Sequence, residues 1–183
     1  GQPTGIGINL APGADRVLIY LEGGGACWDA ASCYEEGLAA NVAEGFDAAA
    51  FDNGAAAQHP FFNRASPGNP FADHTLVYVP YCTGDVHAGD RSADYGGRMT
   101  HHAGAANFAA LAARVAATVP QASRVVVAGS SAGGYGAVMN WHRARAAFPC
   151  ARVDAIDDGG ALPPAPTFPA ARQALWSDAW GLA

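Results

Sequence analysis

The segment Val125-Val-Val-Ala-Gly-Ser-Ser-Ala-Gly-Gly-Tyr-Gly-Ala-Val-Met-Asn140 runs from a short β-branched strand, through small residues, into a helix-compatible stretch. Within it, Gly129-Ser130-Ser131-Ala132-Gly133 fits the pattern Gly-x-Ser-x-Gly, a sharp strand-to-helix turn that holds its central serine in a strained conformation with the hydroxyl exposed. Ser131 is therefore the candidate nucleophile. Gly129 and Gly133 flank it because a side chain at either position would collide with the neighbouring strand or with the first turn of the helix. That helix is predicted over residues 132–148, ends before Pro149, and aims its unpaired N–H groups at the serine. So short a pattern arises by chance in a chain with 23 glycines. Its weight comes from the uninterrupted apolar strand before it and the helix after it.

Upstream, Arg16-Val-Leu-Ile-Tyr-Leu-Glu22 is a nearly continuous apolar run, the signature of a parallel strand buried on both faces. Gly23-Gly24-Gly25 ends it. A glycine triplet after a buried strand lets backbone N–H groups approach a ligand, and in hydrolases with the serine turn such a loop completes the oxyanion hole. Gly23 or Gly24, together with the N–H of Ala132, are the predicted donors. Cys27 and Cys33 then close a short loop that a disulfide would staple, with Trp28 at its tip as a candidate substrate contact.

Residues 34–50 are alanine-rich and predicted helical, whereas residues 53–73, with Pro60, Pro67 and Pro70, are predicted irregular. Phe61, Phe62 and Phe71 read as packing for that segment. A second buried strand follows at residues 75–80. The loop over residues 81–102 is dense in ionisable groups, among which Asp85 and His87 are the first candidates for substrate binding, because strand C-terminal ends carry sites. Phe108, Leu111, Ala112 and Val115 have helical spacing and predict a crossover helix over residues 104–118. A fourth strand at residues 152–156 leads into Asp157-Asp158-Gly159-Gly160, then a proline-rich turn and a short segment over residues 170–180. This alternation predicts an α/β fold whose strand ends, with the glycine triplet, Ser131 and Asp157, share one edge.

The length of 183 residues suits one domain, 1–183, and 50% apolar with 14% charged residues is a folded composition. The net charge of -6 arises without any lysine, which argues against a nucleic-acid or anionic-membrane surface. No run of eighteen apolar residues encodes a membrane span, and Gly1-Gln2-Pro3 has no feature of a signal peptide, so the chain reads as processed or trimmed. The Cys27 and Cys33 pair suggests an oxidising setting, secreted or periplasmic, and no histidine or cysteine stands beside it at metal spacing.

Taken in order, Leu21-Glu22-Gly23-Gly24-Gly25 with Cys27, Tyr81-Cys82 with Asp85, Gly129-Ser130-Ser131-Ala132-Gly133-Gly134, and Asp157 or Asp158 with Gly159 resemble the pectin acetylesterase and Notum family of serine carboxylesterases. The resemblance implies an α/β-hydrolase fold with a mostly parallel sheet and flanking helices. It also implies hydrolysis of an O-acyl ester, acetyl on a polysaccharide or a lipid acyl group on a protein, with no cofactor. Ala26 departs from the family, many of whose members carry tryptophan before the cysteine.

In α/β-hydrolases the triad runs serine, acid, histidine. No histidine follows His142, which lies eleven residues past Ser131 on the same helix, roughly 15 Å away at ~1.5 Å per residue. His87, His101 and His102 precede the serine on a loop at the expected site edge, so an unorthodox base is geometrically open. The simpler expectation places the base, and the acid unless Asp157 or Asp158 supplies it, beyond Ala183, in final strands missing from this chain. Cys82 and Cys150 fall at opposite ends of the sheet, too far apart for the roughly 6 Å Cα separation of a disulfide. Each is expected to pair outside these residues, or, equally for Cys150, to stay free. A non-catalytic binder of acylated glycan or peptide, and a lipase or peptidase on the same fold, are the competing functions.

Overall fold

The computed structural model describes residues 4–54, 59–160, 164 and 166–182. In chain order its elements are β1 (Gly7–Asn9), β2 (Arg16–Leu21), α1 (Ala48–Asn53), β3 (Thr75–Val79), β4 (Arg91–Asp94), β5 (Met99–His102), α2 (Gly104–Thr118), β6 (Arg124–Ser130), α3 (Ala132–Ala147), β7 (Arg152–Asp158) and α4 (Ala170–Trp180). One sheet has the order β1-β3-β2-β6-β7. Its strands β3, β2, β6 and β7 run parallel, and β1 joins β3 antiparallel at one edge. This is an α/β fold of the hydrolase type.

Both faces of the sheet are covered, which is why its central strands read as unbroken apolar runs. On one face Val17, Ile19, Leu21, Val125 and Val127 pack against Phe108, Ala112 and Val115 of α2 and Ala137 and Ala144 of α3. On the other, Leu18, Tyr20, Leu76, Tyr78, Val126 and Ala128 are covered by the irregular segment through Phe46, Phe51, Phe61, Phe62 and Phe71. Several of the rings meet edge-on, as Phe62 does with Tyr20 and Tyr78 at 6.0 and 5.7 Å. The amide of Asn69 holds that segment together by donating to the carbonyls of Phe61 and Asn63.

Three features depart from the sequence expectation. The helix predicted over residues 34–50 is instead a single wide turn at Ala31–Glu35, closed by Glu36 N–H to Ala31 O at 2.9 Å, followed by non-helical turns and only the short α1. Gly37, Asn41 and Gly45 adopt φ of 62°, 58° and 77°, which no right-handed helix accommodates. The backbone freed there pairs with the glycine triplet, Ala40 N–H donating to Gly24 O and Ala26 N–H to Leu38 O. Second, the loop over residues 81–102 contains a hairpin, β4 with β5, turned through Gly96 and Gly97 in the left-handed region. Third, β1 is only three residues long, too short to show a pattern. Residues 1–3 and most of the proline-rich turn after Gly160 lie outside the described residues.

Register delivers the carboxyl ends of three strands to one place. Leu21 lies opposite Gly129, and Ser130 opposite Asp158. A Cβ on Gly133 would come within 2.0 Å of Leu21 O, so α3 is seated directly on the end of β2. Gly133→Ala is expected to lower the unfolding free energy by about 1–3 kcal/mol, because backbone on both sides must separate. Urea unfolding of the variant against the wild type measures it.

Candidate active site

Ser131 closes the turn between β6 and α3 with φ 54° and ψ -120°, a conformation that non-glycine residues rarely adopt. Three hydrogen bonds hold it there. Its N–H donates to Asp158 O at 2.8 Å, and its carbonyl accepts from Gly134 N–H at 2.9 Å and Tyr135 N–H at 3.2 Å. The residue is exposed although its neighbours Ala132, Gly133 and Gly134 are buried. The space around the turn is closed to side chains. A Cβ on Gly129 would sit 2.2 Å from Gly133 O, and one on Gly134 2.2 Å from Asp157 Oδ1.

The glycine triplet lies against this turn. A Cβ on Gly23 would approach Ser130 O to 2.5 Å and Ser131 Cβ to 3.3 Å, so the backbone of Gly23 borders the serine side chain. Gly25, at φ 80°, faces Leu38 O. Among the described residues, the N–H groups of Gly23, Gly24 and Ala132 have no acceptor. Unpaired N–H donors bind anionic oxygens in general, and Gly23 is the member of the triplet that lies against the serine side chain.

The disulfide of Cys27 with Cys33, Cα–Cα 4.9 Å, closes the next loop. Within it the buried Ser32 hydroxyl accepts from Trp28 N–H and Asp29 N–H and donates to Asp29 Oδ1 at 2.6 Å. Hydrogen bonds from the Ser32 hydroxyl and N–H hold the Asp29 carboxyl below the usual range. Trp28 lies 6.1 Å from Trp176 of α4 and under the guanidinium of Arg172 at 4.5 Å. Trp180 is fully buried and its indole N–H donates to Cys27 O at 2.8 Å, tying α4 to the disulfide loop. Between α4 and α3 lies an apolar cleft of about 450 Å³, walled by Val86, Tyr135, Met139, Phe168, Trp176 and Trp180.

Asp85 and His87 are not where the sequence expectation put them. Asp85 is fully buried and its carboxylate is consumed by the chain, accepting from Thr83 Oγ1 at 2.5 Å and from the N–H groups of His87, Gly89 and Gly104 at 3.0, 3.0 and 2.7 Å. No surface remains for a substrate contact. His87 is also buried, and its Nε2 lies 2.8 Å from Glu22 O. A dense run of ionisable residues reads as a solvated loop in sequence; here four N–H and O–H donors surround one carboxylate, and only three-dimensional closure reveals it.

His102 is committed in the same way. His102 is buried between Thr83 O and the Tyr95 hydroxyl, and burial lowers the pKa of both His87 and His102. The exposed His101 pairs with Ser92 on the hairpin, and His142 is exposed on α3. Among the described residues no hydrogen bond joins a histidine to the Ser131 hydroxyl. His59, which carried no sequence signal, lies tilted against Tyr20 at 4.4 Å on the opposite sheet face, where burial lowers its pKa and the Asp158 carboxylate opposes that shift.

Asp157 and Asp158 point to opposite faces, as neighbours on a strand do. Asp157 Oδ1 accepts from Gly160 N–H at 2.6 Å, whereas Asp158 meets Ser131 through its backbone carbonyl. Cys82, half-buried, and Cys150, exposed, are both unbonded among the described residues. Burial pushes the Cys82 thiol up. No three His, Cys, Asp or Glu side chains converge as metal ligands, and no helix is long and apolar enough to cross a membrane, among the described residues.

A family model described as pectinacetylesterase matches residues 4–175, a span that contains the glycine triplet, the Asp85 loop and the serine turn. The chain belongs to the pectinacetylesterase family. No curated protein matches it at significance. Pectinacetylesterase membership implies carboxylesterase activity on acetylated substrates, on an α/β-hydrolase-like fold that agrees with the sheet described above.

Asp85→Ala would leave the Thr83 hydroxyl and three buried N–H groups unpaired, each costing about 1–3 kcal/mol. The expected loss is at least about 3 kcal/mol of stability, read from denaturant unfolding. A loss below about 1 kcal/mol would show that the carboxylate does not organise the loop.

Proposed function

We propose that this chain carries the nucleophile and oxyanion donors of a serine carboxylesterase that removes acyl groups, chiefly acetyl, from a polysaccharide. The observation that supports this most is the exposed Ser131, held at positive φ beside the acceptor-free N–H groups of Gly23, Gly24 and Ala132. In this reading Ser131 Oγ attacks the ester carbonyl and its proton passes to a base. The carbonyl electron pair moves onto oxygen, where the three N–H groups stabilise it. Collapse expels the alcohol, which takes up that proton, and leaves an acyl-enzyme that water hydrolyses by the same sequence.

Trp28, standing between the glycine segment and Trp176, would form the wall against which the substrate lies. Arg98 and His101 are carried on the β4–β5 hairpin, beside an Arg91 engaged by Asp178, and offer contacts to a uronate-bearing glycan. The disulfide fits a secreted or periplasmic setting.

One observation favours the competing class of a binder without turnover: no described histidine reaches the Ser131 hydroxyl. Labelling separates the two. An activated serine reacts with a fluorophosphonate, giving a single adduct on Ser131, and Ser131→Ala is expected to lower hydrolysis of a small acetate ester by about 10³-fold or more. Absence of the adduct, or turnover unchanged in Ser131→Ala, would replace the esterase with the binder or with a different nucleophile.

A further inference from the structure

A buried set of hydrogen bonds leads from the turn after β3 to the glycine triplet. Asp85 gathers the turn, and within it Val86 and His87 both adopt left-handed φ, 51° and 60°. Two consecutive non-glycine residues in that region are costly, on the order of 1 kcal/mol or more each, and persist only where the surroundings dictate them. The surroundings are specific. Val86 N–H donates to the Tyr81 hydroxyl at 2.8 Å, and His87 O accepts from the Asn140 amide of α3 at 2.8 Å. The His87 ring lies 4.7 Å from the Tyr81 ring, and Gly136 of α3 leaves it room, since a Cβ there would stand 2.8 Å from His87 Cβ. All of this aims the imidazole at one atom, Glu22 O, 2.8 Å from Nε2.

Burial keeps the imidazole neutral, so it carries one proton. A carbonyl only accepts, which places that proton on Nε2. Glu22 O belongs to the peptide whose other end is the N–H of Gly23. Because a peptide is planar and trans, fixing its oxygen fixes the opposite N–H direction. Two peptides further along, the carbonyl of Gly24 is fixed by Ala40 N–H at 2.8 Å. The unit between them, which carries Gly24 N–H, is thereby held from both sides. Three glycines in a row have no side chains with which to hold themselves; residues 38–40 anchor the far end and His87 anchors the near end.

We propose that His87 is a positioning residue for ester hydrolysis: its bond to Glu22 O sets the direction of the Gly23 and Gly24 N–H groups beside Ser131. The proposal rests on the reading of those groups as oxyanion donors. His87 takes no proton from Ser131 and touches no substrate, so its loss weakens stabilisation of the tetrahedral species and leaves ground-state binding in place.

The test uses the full-length protein with a small acetate ester. His87→Phe keeps a ring and removes the donor, and His87→Gln returns an amide N–H close to the position of Nε2. The expected result is a kcat about ten- to a hundredfold lower per folded molecule in His87→Phe, with KM within about twofold, and recovery of most of that loss in His87→Gln. Affinity for a trifluoromethyl ketone, whose hemiketal oxygen uses the same donors, falls by the same factor as kcat. Should His87→Phe not fold, His87→Met, which has similar reach and no donor, is compared with His87→Gln in its place. Equal kcat per folded molecule with and without the donor, while Ser131→Ala abolishes turnover, overturns the positioning role and leaves the esterase reading intact. Turnover that survives Ser131→Ala overturns the esterase reading and the proposal with it.

Discussion

The close seating of α3 on the end of β2 is the constraint from which the rest of the site follows. With Gly133 nearly touching Leu21 O, the helix begins where β2 ends, and the glycine triplet that continues β2 has to pass directly beside Ser131. The parallel register then adds β7, whose Asp158 carbonyl takes the Ser131 N–H. A serine at positive φ is tolerated because these contacts determine it from three strands at once. Remove the close approach and both the strained serine and the neighbouring free N–H groups lose their relation to each other.

The turn after β3 answers a different problem. A loop at the carboxyl end of a sheet is ordinarily mobile and solvated, yet this one borders the site and has to be rigid. The solution is a single buried carboxylate surrounded by donors from both ends of the segment, Thr83 and His87 on one side and Gly89 and Gly104 on the other. Charge-assisted hydrogen bonds are roughly twice as strong as neutral ones, so Asp85 adds to the small apolar cluster that Tyr81, Val86 and Ala88 of this stretch form with Trp180. The same turn passes its rigidity to Glu22 through His87.

The disulfide loop and α4 form the third side. Cys27 is fixed by Cys33, by its own N–H to Gly84 O, and by the Trp180 indole on its carbonyl. Arg91 binds Asp178 at 2.9 Å and Asp90 N–H donates to Trp180 O, so α4 is held to the hairpin as well as to the disulfide. An aromatic cleft between α3 and α4 results, within one helical turn of Ser131 through Tyr135.

Residue pattern alone was enough for the α/β alternation, the four parallel strands, both long helices, the Cys27–Cys33 pair and the placement of Ser131 at a strand-to-helix turn. These are local signals: β-branched runs, helical spacing of apolar residues, a Gly-x-Ser-x-Gly segment between a strand and a helix, and two cysteines six apart. What Asp85 and His87 do emerges from three-dimensional contacts, because a carboxylate that binds four chain donors and one that binds substrate have the same local sequence. It also decided that residues 34–50 are not a helix. Alanine there favours one, but pairing with the glycine triplet and three left-handed residues prevail over propensity, a competition fixed by partners many residues away.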